Sequence, residues 1–352
     1  MDNLTHSLVG ALIGQAGLKR KTGLAMPALI IGANMPDVDA ACFLWLDGLE
    51  HLAFRRGITH GPIAWVLLPL ILAGALWWLD RWQTRRGKRP DKRLPVRFGW
   101  LYGLAFLACL THPALDWLNV YGIRLLEPFS SRWFYGDVLF IIDVWLWALL
   151  GFATWFSLRR EKRGGEWIRP ARIAGAIGLA YIGANAALTW HAEGIRATST
   201  EPYPRIAIGS PPPVLSWQRE RIIQTGDGQW ASSQGAGRDL GYGYRLISPR
   251  PCAMPKLAAL RQSNRGLDAF LFWSRAPFAE RAPDGSVLIR DARFHDPRAR
   301  DRFTVELTDV RCEPLATPNR SNSHPLTLSL SKGAGATPRG LRQAQPEREE
   351  GE

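Results

Sequence analysis

Residues 63–79, IAWVLLPLILAGALWWL, run for 17 positions without a charged side chain, and this stretch decides the fold class. Three further apolar stretches follow it, at residues 98–118, 138–158 and 173–190. A transmembrane helix takes about 20 predominantly apolar residues. The four stretches therefore predict four transmembrane helices.

Two shorter apolar stretches precede these four, at residues 5–18 and 24–35. At about 1.5 Å per residue, neither reaches across a hydrocarbon core of about 30 Å. We expect them either to dip into the bilayer as a pair or to pack inside the helical bundle.

The distribution of basic residues predicts the orientation of the chain. The sequence has 44 Lys and Arg against 31 Asp and Glu, a formal net charge of +13. Seventeen of the basic residues, with three carboxylates, lie in segments 19–21, 81–97 and 159–172, each between apolar stretches. This is the positive-inside pattern, which predicts a multi-pass protein of the bacterial inner membrane with these loops in the cytoplasm. Membrane lipids are then the expected binding partners of these basic residues, and binding to nucleic acid is not expected.

The predicted fold class is mainly α: a polytopic transmembrane helical bundle followed by a small β-rich extracytoplasmic domain and a disordered tail. We predict a membrane-embedded helical domain at 1–195, a Pro-rich linker at 196–213, the β-rich domain at 214–316 and the tail at 317–352. Segments 286–294 and 302–307 have strand composition, with a turn signal before the first. Cys252 and Cys312 lie in the predicted β-rich part. An oxidising compartment would allow them to form a disulfide, and the alternative is that both remain free thiols.

Ionisable residues inside a membrane domain usually mark a functional site, because burying them there is costly. In the predicted topology the few such residues of the first 190 positions all lie toward the outer face. His112 and Asp116 are four residues apart and share one helix face. Histidine nitrogens together with carboxylate oxygens suit Zn²⁺, with Mn²⁺ or Fe²⁺ as alternatives. The predicted metal ligands are His6, Asp37, His60, His112 and Asp116.

Four further residues are predicted to take part in chemistry at this site. Asp39 or Asp143 would be the carboxylate that takes a proton from water, and Arg55 or Arg56 would bind a developing negative charge. Structural roles are the alternatives for each. Asp39 would cap a helix, Asp143 would form an ion pair with Arg124 or Arg132, and the two arginines would be interfacial anchors. For His6 the alternative to a ligand is a polar cap at the start of its helix.

Several ordered motifs carry a family resemblance. They are MDNLTHSLVG at 1–10, NMPDVD at 34–39, RRGITHG at 55–61, THPALDWLNVYGIRLLEPFS at 111–130 and YGDVLFIID at 135–143. Over about residues 1–190 the chain resembles the YdjM-type family of inner-membrane proteins. That resemblance implies a metal-dependent hydrolase, and one member of the family is described as LexA-binding.

The sequence departs from the family at one position. Members often carry His-Arg-Gly-x-Thr-His-Ser, whereas this chain has Arg55 in place of the first histidine. If that histidine is a ligand elsewhere, this chain either lacks one ligand or replaces it with His51, one turn upstream.

Together these observations predict a membrane-bound metal-dependent hydrolase whose site faces the extracytoplasmic side and takes a lipid or lipid-linked ester or phosphoester. One alternative is a metal-stabilised regulatory or scaffold protein without catalysis, which would have a protein partner. The other is a cation or proton transporter, in which the same His and Asp residues would bind or relay the ion.

Overall fold

The computed structural model describes residues 1–194, 206–235, 239–241 and 243–315. A helical N-terminal part is followed by a β-sheet-rich part. Residues 196–205 of the predicted linker at 196–213 lie outside the described residues. The whole of the predicted tail at 317–352 lies outside them as well.

Seven helices form the described N-terminal part: α1 (Asn3–Gln15), α2 (Ala25–Gly32), α3 (His51–Phe54), α4 (Pro62–Arg85), α5 (Phe98–Trp117), α6 (Val144–Lys162) and α7 (Ile168–Gly194). Two 3₁₀ segments, Met35–Leu44 and Ile58–His60, lie on either side of α3. Within the described residues three helices are long and apolar enough to cross a membrane, namely α4, α5 and α7.

The predicted span at 138–158 is wrong in its extent. Helix α6 begins only at Val144, because the Asp143 carboxylate accepts hydrogen bonds from the first free backbone N–H groups of the helix. The preceding residues are not helical, and the amides of Val138 and Leu139 donate to the carbonyl of Leu118. From Val144 to the first basic residue, the apolar helix is only about 22 Å long at 1.5 Å per residue. The helix continues through its basic last turn to Lys162, so its 19 residues are about 28 Å long in all, close to the thickness of a hydrocarbon core.

Helices α1 and α2 pack inside the bundle, which is the second of the two arrangements expected for them. Gly10 lies so close to α2 that a Cβ atom there would be 2.5 Å from the carbonyl oxygen of Leu29. Gly32 lies equally close to α5, where a Cβ would be 3.0 Å from the Ala105 carbonyl oxygen. Small residues at such contacts let helix backbones approach one another. The two short helices can therefore be covered by the longer ones.

The three basic segments meet at one end of the helical part. Lys19 forms an ion pair with Glu161, and the amide of Gly23 donates to the Pro95 carbonyl at 3.1 Å. Helix α4 ends at this end and α5 begins there. The start of α4 and the end of α5 consequently lie together at the opposite end.

The described β-sheet-rich part has the strands β1 (Ala207–Ser210), β2 (Glu220–Gln224), β3 (Trp230–Ser232), β4 (Asp239–Gly241), β5 (Tyr244–Leu246), β6 (Pro277–Arg281), β7 (Ser286–Asp291) and β8 (Thr304–Arg311). Within these described residues they form two antiparallel sheets. The first has the order β1-β2-β3-β5-β4 and the second the order β6-β7-β8. Helices α8 (Leu257–Ser263) and α9 (Arg265–Trp273) lie between the sheets in sequence.

A disulfide joins Cys252 to Cys312, so the two cysteines of this part are paired. The β-sheet-rich part also shares a hydrophobic core with the helical part. Trp273 and Phe270 of α9 pack in one cluster with Leu52 and Val120. Val120 lies just beyond the end of α5, so the second part covers the end of the bundle opposite the basic segments.

Candidate metal centre

The five predicted metal ligands come together at the end of the bundle where α5 ends and α4 begins. They form two overlapping groups that share His112: His6 with Asp37 and His112, and His60 with His112 and Asp116. Within each group one ligand atom per residue lies within 4.8 Å of the others. The convergence follows from the fold, because α1, the segment Met35–Leu44, the segment Ile58–His60 and α5 all reach this end.

Two histidines of the cluster face each other through the same ring nitrogen. His60 Nε2 and His112 Nε2 are 3.2 Å apart. His112 Nδ1 is 2.7 Å from the Ala33 carbonyl oxygen. A carbonyl oxygen only accepts, so the ring proton of His112 is on Nδ1 and its Nε2 carries a lone pair.

The surroundings of His60 favour the same tautomer. Its Nδ1 is 2.9 Å from the Thr59 hydroxyl oxygen and 3.5 Å from Asp39 Oδ2, and the hydroxyl itself donates to Asp39. A proton on His60 Nδ1 gives the Thr59 hydroxyl oxygen and Asp39 Oδ2 a hydrogen to face. Two Nε2 lone pairs then face each other without a proton between them, an arrangement that a shared cation would stabilise.

The spacing of the two nitrogens fits a tetrahedral metal ion. Two Zn–N bonds of about 2.0–2.1 Å at the tetrahedral angle place their nitrogens about 3.3–3.4 Å apart. Carboxylate oxygens lie close by, with Asp116 Oδ2 at 3.6 Å from both Nε2 atoms and Asp37 Oδ1 at 3.8 Å from His112 Nε2. The donor set and its spacing therefore fit Zn²⁺ or a similar first-row ion.

Two members of the cluster have buried polar atoms without a hydrogen-bond partner among the described residues. These atoms are both ring nitrogens of His6 and Oδ2 of Asp116. Asp116 Oδ1 contacts the α-amino group of Met1 and lies 3.4 Å from His6 Nε2. The His6 ring stacks on the His112 ring with centroids 3.7 Å apart. Buried polar atoms are normally satisfied, and unpaired ones need an explanation such as a missing ion.

Arg55 closes the accessible edge of the cluster. Its guanidinium is 2.9 Å from Asp37 and 3.4 Å from Asp39. The Arg55 and Asp37 side chains are 23% and 9% exposed, whereas the side chains of His6, His60 and His112 are fully buried. The residue that stands where the family often has histidine is thus an internal counter-ion of two carboxylates.

Arg56 lies behind the cluster and is buried. Its Nε is 3.0 Å from Asp116 Oδ2, which is close enough for an ion pair but lacks hydrogen-bond geometry. Burial lowers the pKa of Arg56 to about 10, so the side chain stays charged at neutral pH. Because Arg56 is buried beside Asp116, it offsets the charge of that carboxylate and is not accessible to an anionic substrate.

Asp39 lies in a supporting position next to His60. Its Oδ2 accepts from the backbone amide of Arg56 at 2.7 Å and from the Thr59 hydroxyl at 3.2 Å. Burial raises the pKa of Asp39, and burial lowers the pKa of His60. A carboxylate behind a neutral histidine is the usual orienting arrangement for a metal ligand.

Two sequence candidates have their contacts elsewhere. Asp143 caps α6 and accepts from the Tyr181 hydroxyl at 2.9 Å. Among the described residues it belongs to neither ligand group, and Arg124 pairs with Glu127 instead. His51 Nδ1 is 2.8 Å from the Gly48 carbonyl oxygen, and His51 is absent from both ligand groups found among the described residues. It does not take the place of the family histidine.

Sequence reasoning missed three contributors to the site. These are the Ala33 carbonyl, the Asn119 side chain, which accepts from Arg56 at 3.1 Å, and the Tyr121 ring, 4.5 Å from the Arg56 guanidinium. A backbone carbonyl leaves no signal in the sequence. Asn119 did offer one, since it lies only three residues beyond Asp116.

Comparison with known proteins identifies the family of the chain. A family model described as the YdjM inner membrane protein matches residues 1–192, which is more than half of the chain. This chain belongs to that family. All five converging residues lie inside the matched YdjM region, and the β-sheet-rich part lies beyond it.

One curated relative is also similar to the chain. The uncharacterized protein YfhP of Bacillus subtilis (strain 168) is 28% identical over 167 residues, which are 45% of this chain and 47% of YfhP. The chain therefore spans about half the length of that relative. No solved structure matches the chain.

Proposed function

We propose that this YdjM-family membrane protein is a metal-dependent hydrolase. The observation that carries the proposal is the pair of buried Nε2 atoms of His60 and His112, which face each other at 3.2 Å. Beside them lie atoms of His6 and Asp116 that have no hydrogen-bond partner among the described residues. Such a donor set is costly to bury unless it binds a cation. A bound Zn²⁺ ion acidifies water and polarises the oxygen under attack.

The residues divide into ligands and supports. His60, His112 and Asp116 are the preferred ligands, with His6 and Asp37 able to complete the set. Asp39 and the Ala33 carbonyl hold the two facing histidines in the tautomer that leaves Nε2 free. Arg56 orients the Asp116 carboxylate, as groups behind a ligating carboxylate commonly do.

The proton acceptor is best assigned to a carboxylate at the accessible edge. Asp37 is the more exposed of the two carboxylates that Arg55 contacts, and Asp39 is held by two hydrogen-bond donors. Asp37, where it is not a ligand, or Asp39 would take the proton from water, and Arg55 would bind the negative charge that develops. Asp143 is not retained as a candidate, since its oxygens cap α6 and bind Tyr181.

The surroundings of the edge favour a substrate with an apolar tail and an anionic group. The Phe43 ring lies 5.5 Å from the Arg55 guanidinium. Several large apolar side chains near this edge are exposed: Val38, Phe43, Leu44, Trp45 and Ile58. A lipid or lipid-linked phosphoester would place its phosphate at Arg55 and its chain against these side chains.

We also propose that the site opens to the extracytoplasmic side. The three basic segments lie at the opposite end of the bundle from the cluster, and such segments face the cytoplasm in membrane proteins. The Cys252–Cys312 disulfide supports the same orientation, because structural disulfides persist in oxidising compartments.

The test compares the His112→Leu, Asp116→Leu double variant with wild type in the same purified, detergent-solubilised state. Wild type is expected to hold about one Zn²⁺ per chain by elemental analysis, and the double variant is expected to hold none. Asp80→Asn is the matched control, because Asp80 is another buried carboxylate of the membrane part but binds Arg89 and Arg93 at the far end. His112→Gln keeps a side chain of similar size and should lose the metal as well.

Hydrolysis is then assayed on a panel of lipid-linked phosphoesters with wild type and the same variants. Activity in wild type and Asp80→Asn that is absent from the double variant would support the hydrolase. Unchanged metal content in the double variant would refute the ligand assignment. Metal binding without hydrolysis across the panel would favour the metal-stabilised regulatory protein instead.

A further inference from the structure

Arg56 is held on several sides by the segment that follows α5. Its Nη1 donates to the Asn119 side chain at 3.1 Å and to the Gly122 carbonyl at 3.2 Å. The guanidinium also lies over the Tyr121 ring, 4.5 Å from its centroid. Residues 119–122 therefore determine where Arg56 lies, and Arg56 in turn is 3.0 Å from the Asp116 carboxylate.

The β-sheet-rich part holds this same segment through two side chains. The indole N–H of Trp273 donates to the Tyr121 carbonyl at 3.0 Å. Arg293 Nη1 donates to the Val120 carbonyl at 2.8 Å. The rings of Tyr121 and Trp273 are in contact, with centroids 5.1 Å apart.

The two holding side chains are themselves rigidly placed. Arg293 forms a buried ion pair with Asp291 at 2.7 Å and lies over the Trp273 ring at 4.6 Å. Trp273 is fully buried at the end of α9. A fully buried pair of this kind fixes its neighbours more firmly than an exposed contact would, because breaking it leaves an uncompensated charge.

We propose that Trp273 and Arg293 are positioning residues of the metal centre, acting through residues 119–122 on Arg56 and through Arg56 on Asp116. This inference rests on the proposed function only in assigning Asp116 as a metal ligand. Since the family model ends at residue 192, a part of the chain outside the family region completes the centre in this protein.

The first test is hydrogen exchange in the full-length protein without added metal, comparing Trp273→Ala with Trp230→Ala. Trp230 is a matched control: it is buried, its indole N–H donates to the Pro277 carbonyl at 3.2 Å, and its core cluster draws only on the β-sheet-rich part. We expect Trp273→Ala to speed exchange about tenfold in peptides covering 54–60 and 116–124, and Trp230→Ala to leave them unchanged. Equal exchange of these peptides in both variants would overturn the proposal.

The second test asks whether Trp273 acts through Arg56, using Zn²⁺ alone as the probe. Trp273→Ala and Arg56→Gln should each weaken Zn²⁺ binding about tenfold, in the range seen for groups behind metal ligands. Residues acting in one chain of contacts are non-additive, so Trp273→Ala should add no further loss in the Arg56→Gln background. Additive losses would overturn the proposal. If wild type binds no Zn²⁺, the proposed function fails, while the exchange experiment still decides this inference.

Discussion

Arg55 stands where the resemblance to the YdjM-type family leads us to expect a histidine, and its contacts show what the arginine does. Its guanidinium lies 2.9 Å from Asp37 and 3.4 Å from Asp39, so it offsets the charge of both carboxylates. A histidine at this place would leave that charge to a metal ion. Arginine at this position therefore supplies a fixed internal cation where a histidine would supply a ligand.

Replacing Arg55 with histidine should strengthen metal binding. Arg55→His removes the competing cation from Asp37 and adds an imidazole, and we expect Zn²⁺ affinity to rise about tenfold. Competition with a chelator of known affinity measures the change. Arg55→Gln is the control that removes the charge without supplying a ligand, and it should gain less. A weaker affinity in Arg55→His than in Arg55→Gln would contradict this account.

The buried pair Asp291–Arg293 is a second residue-scale feature with a measurable consequence. Asp291→Asn should destabilise the β-sheet-rich part by about 3–5 kcal/mol, because it leaves Arg293 buried without its partner. Thermal unfolding followed by intrinsic fluorescence reports the loss. Asp296→Asn is the matched control, since Asp296 pairs with the exposed Arg298 and surface pairs contribute little.

The same pair predicts a pH dependence. Burial alone would raise the pKa of Asp291, but Arg293 and its hydrogen bonds lower it overall. A carboxyl whose pKa is lower in the folded protein stabilises it above the unfolded pKa of about 3.9, and that stability is lost as the pH falls through the folded value. Melting temperatures between pH 7 and pH 3 should therefore fall more steeply in wild type than in Asp291→Asn. Parallel curves would show that the pair contributes nothing to acid sensitivity.

At the scale of elements, variants of Asp143 at the start of α6 distinguish a capping role of this residue from a catalytic one. Asp143→Ala should cost about 1–2 kcal/mol, because the cap and the bond from Tyr181 are lost together. Asp143→Asn keeps a good capping side chain, so it should retain near-wild-type stability and full Zn²⁺ content. Denaturation and elemental analysis on the three proteins check both statements. If Asp143→Asn abolished hydrolysis while leaving stability unchanged, the base role would have to be restored.

At the scale of the whole molecule, orientation is the property to test. Reporter fusions after Arg86 and Lys162 should behave as cytoplasmic, and a fusion after Ser216 should behave as exported, because basic loops remain on the cytoplasmic side. Alkylation in intact cells adds an independent readout, since Cys252 and Cys312 should react with a maleimide only after reduction. A cytoplasmic signal after Ser216 would reverse the orientation of the site.

Much of the candidate site was readable from residue type and chain position. His6, Asp37, His60, His112 and Asp116 stand out because ionisable side chains are rare among apolar segments, and the predicted helices bring them to one end. The three candidate membrane spans α4, α5 and α7 could also be predicted from the sequence, since length and hydropathy are local properties. The start of α6 was misplaced because 138–143 is as apolar as a helix. The amides of Val138 and Leu139 instead donate to the Leu118 carbonyl, and Asp143 caps the helix that follows.

The sequence by itself determined the membrane class, the separation of basic and site-bearing ends, and the residue types of a candidate metal centre, because these depend on composition and on neighbours along the chain. Only the tertiary structure decided the facing nitrogens of His60 and His112, the internal ion pairs of Arg55 and the contact of Trp273 with the Tyr121 carbonyl. Such contacts join residues 16 to 152 positions apart. Their geometry depends on how whole elements pack, which no local pattern records.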